Sequence, residues 1–219
     1  MKRKTLGLIH TSATLVPVFA QLCKDKLPGV DTFNIADDSL IKEVIRHGAL
    51  LPATARRVAQ HVALAEQAGA EFILVTCSSI GRAVETAAGL ASVPVLRVDQ
   101  PMADRAVQMG RRIGVIATLA TTLEPTADLI GRRAAEAGKA VEVTSRLCEG
   151  AFDALMSGDA ARHDAMVAEA LKVLAGKVDV IVLAQASMAR VVENLSPADR
   201  RVPILASPPL AVEYLASVL

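Results

Sequence analysis

The chain repeats itself, and an internal repeat constrains a fold more tightly than composition or length does. Residues 6–14, LGLIHTSAT, align with residues 113–121, IGVIATLAT, placing Gly7 over Gly114, Thr11 over Thr118 and Thr14 over Thr121. Residues 71–85, EFILVTCSSIGRAVE, align with residues 179–193, DVIVLAQASMARVVE, and match Ser79 with Ser187, Arg82 with Arg190 and Glu85 with Glu193. The segment VPVL at 93–96 returns as VPIL at 202–205. Three blocks in one order, at offsets of 107, 108 and 109 residues, mark a tandem duplication of one structural unit.

Each copy reads as alternating strands and helices. Short apolar runs bounded by small polar residues signal strands covered on both faces, here 5–10 and 112–117, then 72–75 and 180–183. Weaker strands are expected at 32–35 and 141–144, and closing strands at 93–98 and 202–206. Helical spacing places helices at 16–26, 52–68 and 161–174. In the second copy, Pro125 is expected just inside a helix start and Gly138 just past its end. This pattern predicts an α/β fold of two similar lobes, each a parallel sheet flanked by helices, related by a pseudo-twofold internal duplication. The tail carries Ala211, Val212, Leu215 and Leu219 at helical spacing, so it is expected to cross back to the first lobe. The lobes are then 1–98 with 206–219, and 99–205.

Composition supports layered α/β packing. Apolar residues make up 52% of the 219, with no Trp, one Tyr and four Phe, so the core must be Ala, Val, Leu and Ile. Twenty-four basic and 23 acidic side chains nearly cancel, which gives no electrostatic footprint for nucleic acid. The apolar run at 6–9 stops at His10, too short for a signal peptide, and no run reaches membrane-spanning length. A soluble cytoplasmic protein without a membrane partner is expected. Three scattered cysteines and four scattered histidines form neither a disulfide framework nor a metal-ligand pattern. Neither G-x-G-x-x-G, a Walker sequence nor G-x-S-x-G occurs, so no cofactor and no metal are expected.

In open parallel sheets, ligands bind beyond the carboxyl ends of the strands. The residues there are His10, Thr11 and Ser12; Thr76, Cys77, Ser78 and Ser79; Thr118, Thr121 and Thr122; and Gln185, Ala186 and Ser187. With the halves about a pseudo-twofold axis, Cys77 and Gln185 would stand on opposite walls of one cleft. Cys77 ends a strand and opens a helix, where a helix dipole lowers a thiol pKa; the same position suits a small buried hydrophobe. His10 is either a proton carrier or a structural histidine. Cys148 either packs or lines the cleft. The hydroxyls of Ser78, Ser79, Thr118, Thr121 and Thr122 serve as helix caps or as donors to an anionic oxygen. Arg82 and Arg190 are expected to pair with Glu85 and Glu193.

At VTCSSIG and VLAQASMA the sequence resembles the aspartate/glutamate/hydantoin racemase superfamily, and the likeness extends to IGVIAT with Thr121 and Thr122, GAFDALMSGD at 150–159 and VPIL with Ser207-Pro208. The resemblance implies a cofactor-independent isomerase in which two cysteines, one in each lobe, exchange a proton next to a carboxylate. Cys77 matches one of them, whereas Gln185 stands where the second is expected. A carboxamide has no useful pKa and cannot replace a thiol as acid or base. The expectation is therefore a racemase-like enzyme using Cys77 on a small acid or amino-acid derivative, with His10 or Cys148 as second proton carrier. The alternatives are a single-cysteine decarboxylase, a maleate-type cis-trans isomerase, or a small-carboxylate binding protein. The resemblance also implies a homo-oligomer.

Overall fold

In the computed structural model, residues 3–219 are described, apart from the side chains of Glu193 and Ala198. In chain order the first copy comprises β1 (Lys4–His10), α1 (Leu15–Lys26), β2 (Val30–Ala36), α2 (Ser39–His47), α3 (Pro52–Gln67), β3 (Phe72–Val75), α4 (Gly81–Ala88) and β4 (Val95–Arg97), and α5 (Gln100–Met109) follows. The second comprises β5 (Arg112–Ala117), α6 (Ala120–Glu136), β6 (Glu142–Leu147), α7 (Ala151–Met156), α8 (Ala160–Ala175), β7 (Val180–Leu183), α9 (Ala189–Asn194) and β8 (Ile204–Ala206), with α10 (Ser207–Val218) last. The two sheets have the orders β2-β1-β3-β4 and β6-β5-β7-β8, and every pairing is parallel.

The chain divides into two compact units, residues 1–100 with 208–219, and residues 101–207. The first sheet buries Ile9, Ile73 and Val75 under α2, α3 and α4, where Leu40, Val58, Val62 and Val84 pack. Leu6, Leu8 and Leu74 form a second cluster with Phe19 and Cys23 of α1 and with Ala211, Val212 and Leu215 of α10. In the second unit, Ile116, Ile181 and Leu183 pack against Val167, Leu171 and Leu174 of α8.

The duplication reaches individual hydrogen bonds. Glu71 accepts from the Thr5 N–H at 3.0 Å, and Asp179 accepts from the Arg112 N–H at 2.9 Å, so a carboxylate clamps the start of each first strand. The carbonyls of Pro94 and Pro203 each accept at 2.9 Å from the third strand of their unit, from Ile73 and Ile181. Proline here supplies the acceptor without needing its missing donor.

Four expectations from spacing need correction. Helix α6 begins at Ala120, so Pro125 lies inside it rather than at its start. The Leu119 carbonyl accepts from both Thr122 and Leu123 and starts the helix early, and Pro125 then forgoes a bond to the Thr121 carbonyl. Helix α2 lies in a stretch where no element was expected. The closing strands are three residues each, shorter than the apolar runs that suggested them. Ser78 and Ser79 lie in a 3₁₀ turn, and α4 starts after it with Ile80 at the cap position and no side-chain cap.

Candidate active site

The strand ends of the first unit gather around Cys77. Backbone geometry at Cys77 is extended, at φ −136° and ψ 118°, so the chain leaves β3 straight and turns only at Ser78–Ile80. That turn points the N–H groups of Ser79 and Ile80 at the Cys77 sulfur, and the Thr11 hydroxyl from the end of β1 also bonds it. Cys77 itself is partly exposed, whereas Thr11, Thr76, Ser78 and Ser79 are buried around it.

The thiol departs from the expectation that the helix start would depress its pKa. Burial pushes the Cys77 thiol up; the bonds from Thr11, Ser79 and Ile80 pull it down, and the Asp99 carboxylate adds to the rise. The helix-end effect is outweighed because desolvation, the largest influence, and the Asp99 charge together penalise the thiolate more than the three donors favour it. Cys77 is therefore held as a thiol.

His10 is buried, and both ring nitrogens are engaged. Nε2 donates to Asn34 Oδ1 at 2.9 Å, and Nδ1 lies 2.8 Å from the Thr76 hydroxyl, which also bonds the Ile9 carbonyl at 3.2 Å. The ring also lies 5.6 Å from that of Phe19. Burial pushes the His10 pKa down against the Asn34 bond, so the neutral imidazole is favoured. To move a proton, His10 would first have to break one of these bonds. Ser12 pairs with Thr14 at 2.7 Å.

The second unit repeats this framework with different chemistry. Gln185 follows β7 as Cys77 follows β3, and its Oε1 accepts from the Thr118 N–H at 2.5 Å and from the Thr118 hydroxyl at 3.0 Å. Thr118 is the counterpart of Thr11, so in each unit a strand-end threonine holds the side chain that follows the third strand. With its oxygen engaged, the carboxamide turns its NH₂, a two-proton donor, away from Thr118. Ala186 and Ser187 lie in the following 3₁₀ turn, partly exposed. Thr122 is buried, and the Thr121 hydroxyl is buried without a hydrogen-bond partner. Neither α1, α4, α6 nor α9 is capped by the side chain at its N-cap position.

Cys148 follows β6 and packs in the apolar cluster with Val167 and Leu171. Burial pushes its thiol up despite Arg146, and Cys23 is likewise pushed up, to about 11. Arg190 donates to Asp164 Oδ1 of α8 at 2.9 and 3.1 Å; the side chain of Glu193, its expected partner, lies outside the described residues. Arg82 does approach Glu85, at 3.5 Å.

Two polar clusters escaped sequence reasoning. Glu85, Arg97 and Asp99 form a buried ion network beside Cys77. Asp37, at the end of β2, accepts from Ser39, from Arg57 at 2.6 Å and from His61 at 2.8 Å. The second cluster had a signal, since Arg57 and His61 are spaced i, i+4 on one helix face. Outside the strand ends, a hollow of about 410 Å³ lies between α5 and α6, lined by Asp104, Arg133 and Lys139. Its charges are already paired, Arg133 with Asp104 at 2.5 Å and Lys139 with the Val107 carbonyl at 3.0 Å. Among the described residues, no helix is long and apolar enough to cross a membrane, and no group of His, Cys, Asp and Glu is gathered to hold a metal.

Two all-parallel four-stranded units, one presenting a cradled thiol at its strand ends, define a duplicated α/β enzyme. The chain belongs to the Asp/Glu/hydantoin racemase family, whose model matches residues 6–215, and is an enzyme of the isomerase class. Its fold is similar to a glutamate racemase of Bacillus anthracis, at 20% identity and a TM-score of 0.75, covering 100% of this chain and 82% of that one. An allantoin racemase of Klebsiella pneumoniae matches at 16% identity and a TM-score of 0.67, covering 98% and 87%. An aspartate racemase of Picrophilus torridus matches at 11% identity and 0.72, covering 98% and 94%. No curated protein matches the sequence.

Proposed function

We propose that this enzyme transfers a proton next to the carboxylate of a small acid or amino-acid derivative, with Cys77 as its catalytic thiol. One observation carries the reading: the same threonine-held position bears a thiol in the first unit and a carboxamide in the second. The first can donate or accept a proton; the second can only hold and orient. Gln185 is accordingly assigned an orienting role, through the NH₂ that Thr118 does not engage. Substrate-binding roles are assigned to the hydroxyls and N–H groups of Thr11, Ser12, Ser78 and Ser79 in the first unit and of Thr118, Thr121, Thr122, Ala186 and Ser187 in the second. This reading is supported by the absence of side-chain caps at the adjoining helices, which leaves helix N-termini to favour an anion.

A second reading is favoured by the state of the thiol. A protonated Cys77, with a carboxamide rather than a second thiol at the equivalent position of the other unit, is suited to quenching a carbanion formed by loss of CO₂ from a malonate-like acid. His10, neutral and bonded at both nitrogens, and Cys148, in an apolar cluster, are both less suited than Cys77 to carry the proton.

Incubation of the enzyme with amino acids, hydantoins, malonates and maleate in D₂O, followed by chiral analysis and mass spectrometry, tests both readings. Deuterium incorporation without CO₂ release supports the first, and incorporation coupled to CO₂ release the second. Cys77→Ala should lower turnover by about 10²- to 10⁴-fold, the usual contribution of a general acid or base, while leaving the fold intact. Gln185→Cys should create or raise racemisation by supplying the missing thiol. Full activity in Cys77→Ala on an established substrate would remove Cys77 from the mechanism.

A further inference from the structure

Arg97 ends β4 with a side chain only 1% exposed, and Asp99 is 0% exposed. The guanidinium grips Asp99 through two parallel bonds, Nε to Oδ1 at 2.7 Å and Nη2 to Oδ2 at 2.8 Å, and its Nη1 donates to Glu85 of α4. A guanidinium taken out of water is costly, and two carboxylates offset that cost, Asp99 buried with it and Glu85 at the edge, where Arg82 also approaches at 3.5 Å. Register places the Asp99 carboxylate beside the thiol. Val75 pairs with Arg97 across β3 and β4, and the Val98 N–H bonds the Val75 carbonyl at 3.0 Å; two residues further on, Asp99 stands alongside Cys77. The guanidinium also supports the turn below the sulfur. A methyl group on Gly81, the first residue of α4, would lie 2.3 Å from Arg97 Cζ.

The second unit supplies an internal comparison. Leu183 pairs with Ala206 as Val75 pairs with Arg97, so Ala206 occupies the place of Arg97 and Pro208 that of Asp99. The Arg97–Asp99 pair and the thiol occur together in one half of the duplication, and both are replaced in the other, where only the place of Glu85 keeps its residue type, as Glu193. A network needed only to close the end of a sheet would have no reason to follow the thiol.

We propose that Glu85, Arg97 and Asp99 are positioning residues for Cys77: they hold the turn whose N–H groups face the sulfur and set an anion beside it, so that Cys77 rests as the proton-bearing thiol and enters the reaction as a donor. This rests on the reading of Cys77 as the catalytic thiol. The polar and charged groups facing the sulfur are Asp99 after β4, the Thr11 hydroxyl after β1 and the N–H groups of Ser79 and Ile80, and Arg82 faces Glu85 from α4 at 3.5 Å. Asp99 works in the same direction as burial on the thiol, against the three donors.

Alkylation of the full-length protein by iodoacetamide across pH 6 to 10, read by mass spectrometry on the Cys77 peptide, tests this without a substrate. Asp99→Asn should move the alkylation midpoint down by about one pH unit, raising the rate at pH 7 by roughly five- to tenfold. Asp99→Glu should return the midpoint toward the parent value, which a merely structural role would not predict. Glu85→Gln, at the 28% exposed edge of the network, should shift the midpoint the same way by less, and it serves if Asp99→Asn does not fold. An unchanged midpoint in a folded Asp99→Asn, or in Glu85→Gln where the former is unfolded, overturns the proposal. Full turnover by Cys77→Ala would instead defeat the functional reading and leave the alkylation result as it stands.

Discussion

At the scale of single residues, equivalent positions keep their geometry and change their chemistry. The Asp37 N–H bonds the His10 carbonyl at 2.9 Å, and the Cys148 N–H bonds the Ala117 carbonyl at 2.8 Å, so an acid and a thiol occupy one structural place. Asp37 shows what such a place does to a carboxylate. Burial acts to raise its pKa, but bonds from Ser39 and His61 and the charge of Arg57 outweigh it and hold the group at about 2. Because the folded pKa lies below the unfolded value of 3.8, the stabilisation is complete above pH 4 and is lost as pH falls through about 2. Its size is on the order of 1–2 kcal/mol, reduced from the full shift because Arg57 is partly exposed and solvent screens the pair. In urea titrations between pH 2 and 6, Asp37→Asn should be less stable than the parent at pH 6 and converge with it near pH 2. A constant difference across that range would show that the carboxylate charge is not what matters.

At the scale of elements, close packing of helix on strand decides which residues the strands tolerate. Gly114 in β5 lies under α8, and a Cβ there would come within 2.6 Å of Leu174 Cδ2 and 2.8 Å of its Cγ. Leu174 is buried in the core of the second unit and has little room to withdraw. Gly114→Ala should therefore cost about 1–3 kcal/mol by overpacking, measured by chemical denaturation. Gly131, inside α6, meets nothing within 4 Å, so Gly131→Ala should instead stabilise by about 0.5–1 kcal/mol through helix propensity. Equal effects at the two sites would mean that α8 does not press on β5 as described. Spacing located the long helices and buried strands because each has a 3.6- or 2-residue period of its own. It missed α2, a nine-residue helix whose stop at Gly48, with φ 63°, was its clearest mark.

At the scale of the whole chain, the last helix belongs to the first unit. Ala211, Val212 and Leu215 of α10 are buried against Leu6, Leu8 and Phe19, about 200 residues earlier in sequence. Leu215→Ala should remove about 2–5 kcal/mol, the range for a buried leucine that leaves a cavity. Amide exchange should quicken in β1 and β3 while β5 and β7 keep their protection, and equal loss in both sheets would contradict the assignment of α10 to the first unit alone.

The repeat in the sequence was enough to determine the fold class, the alternation of strands and helices apart from α2, and the strand ends that carry Cys77 and Gln185, because hydrophobic periodicity and a fixed offset are local, additive signals. The state of the thiol was decided only by tertiary structure. A cysteine at a helix start reads as activated from its neighbours in sequence, but its protonation depends on burial, on Thr11 from another strand and on Asp99, which β-sheet register brings alongside from 22 residues away. In the sequence Arg97 and Asp99 are two charges at the end of an apolar run, and nothing in their spacing says that both are buried. Electrostatic energies depend on distance and dielectric in three dimensions, and the chain sets neither until the two strands have paired.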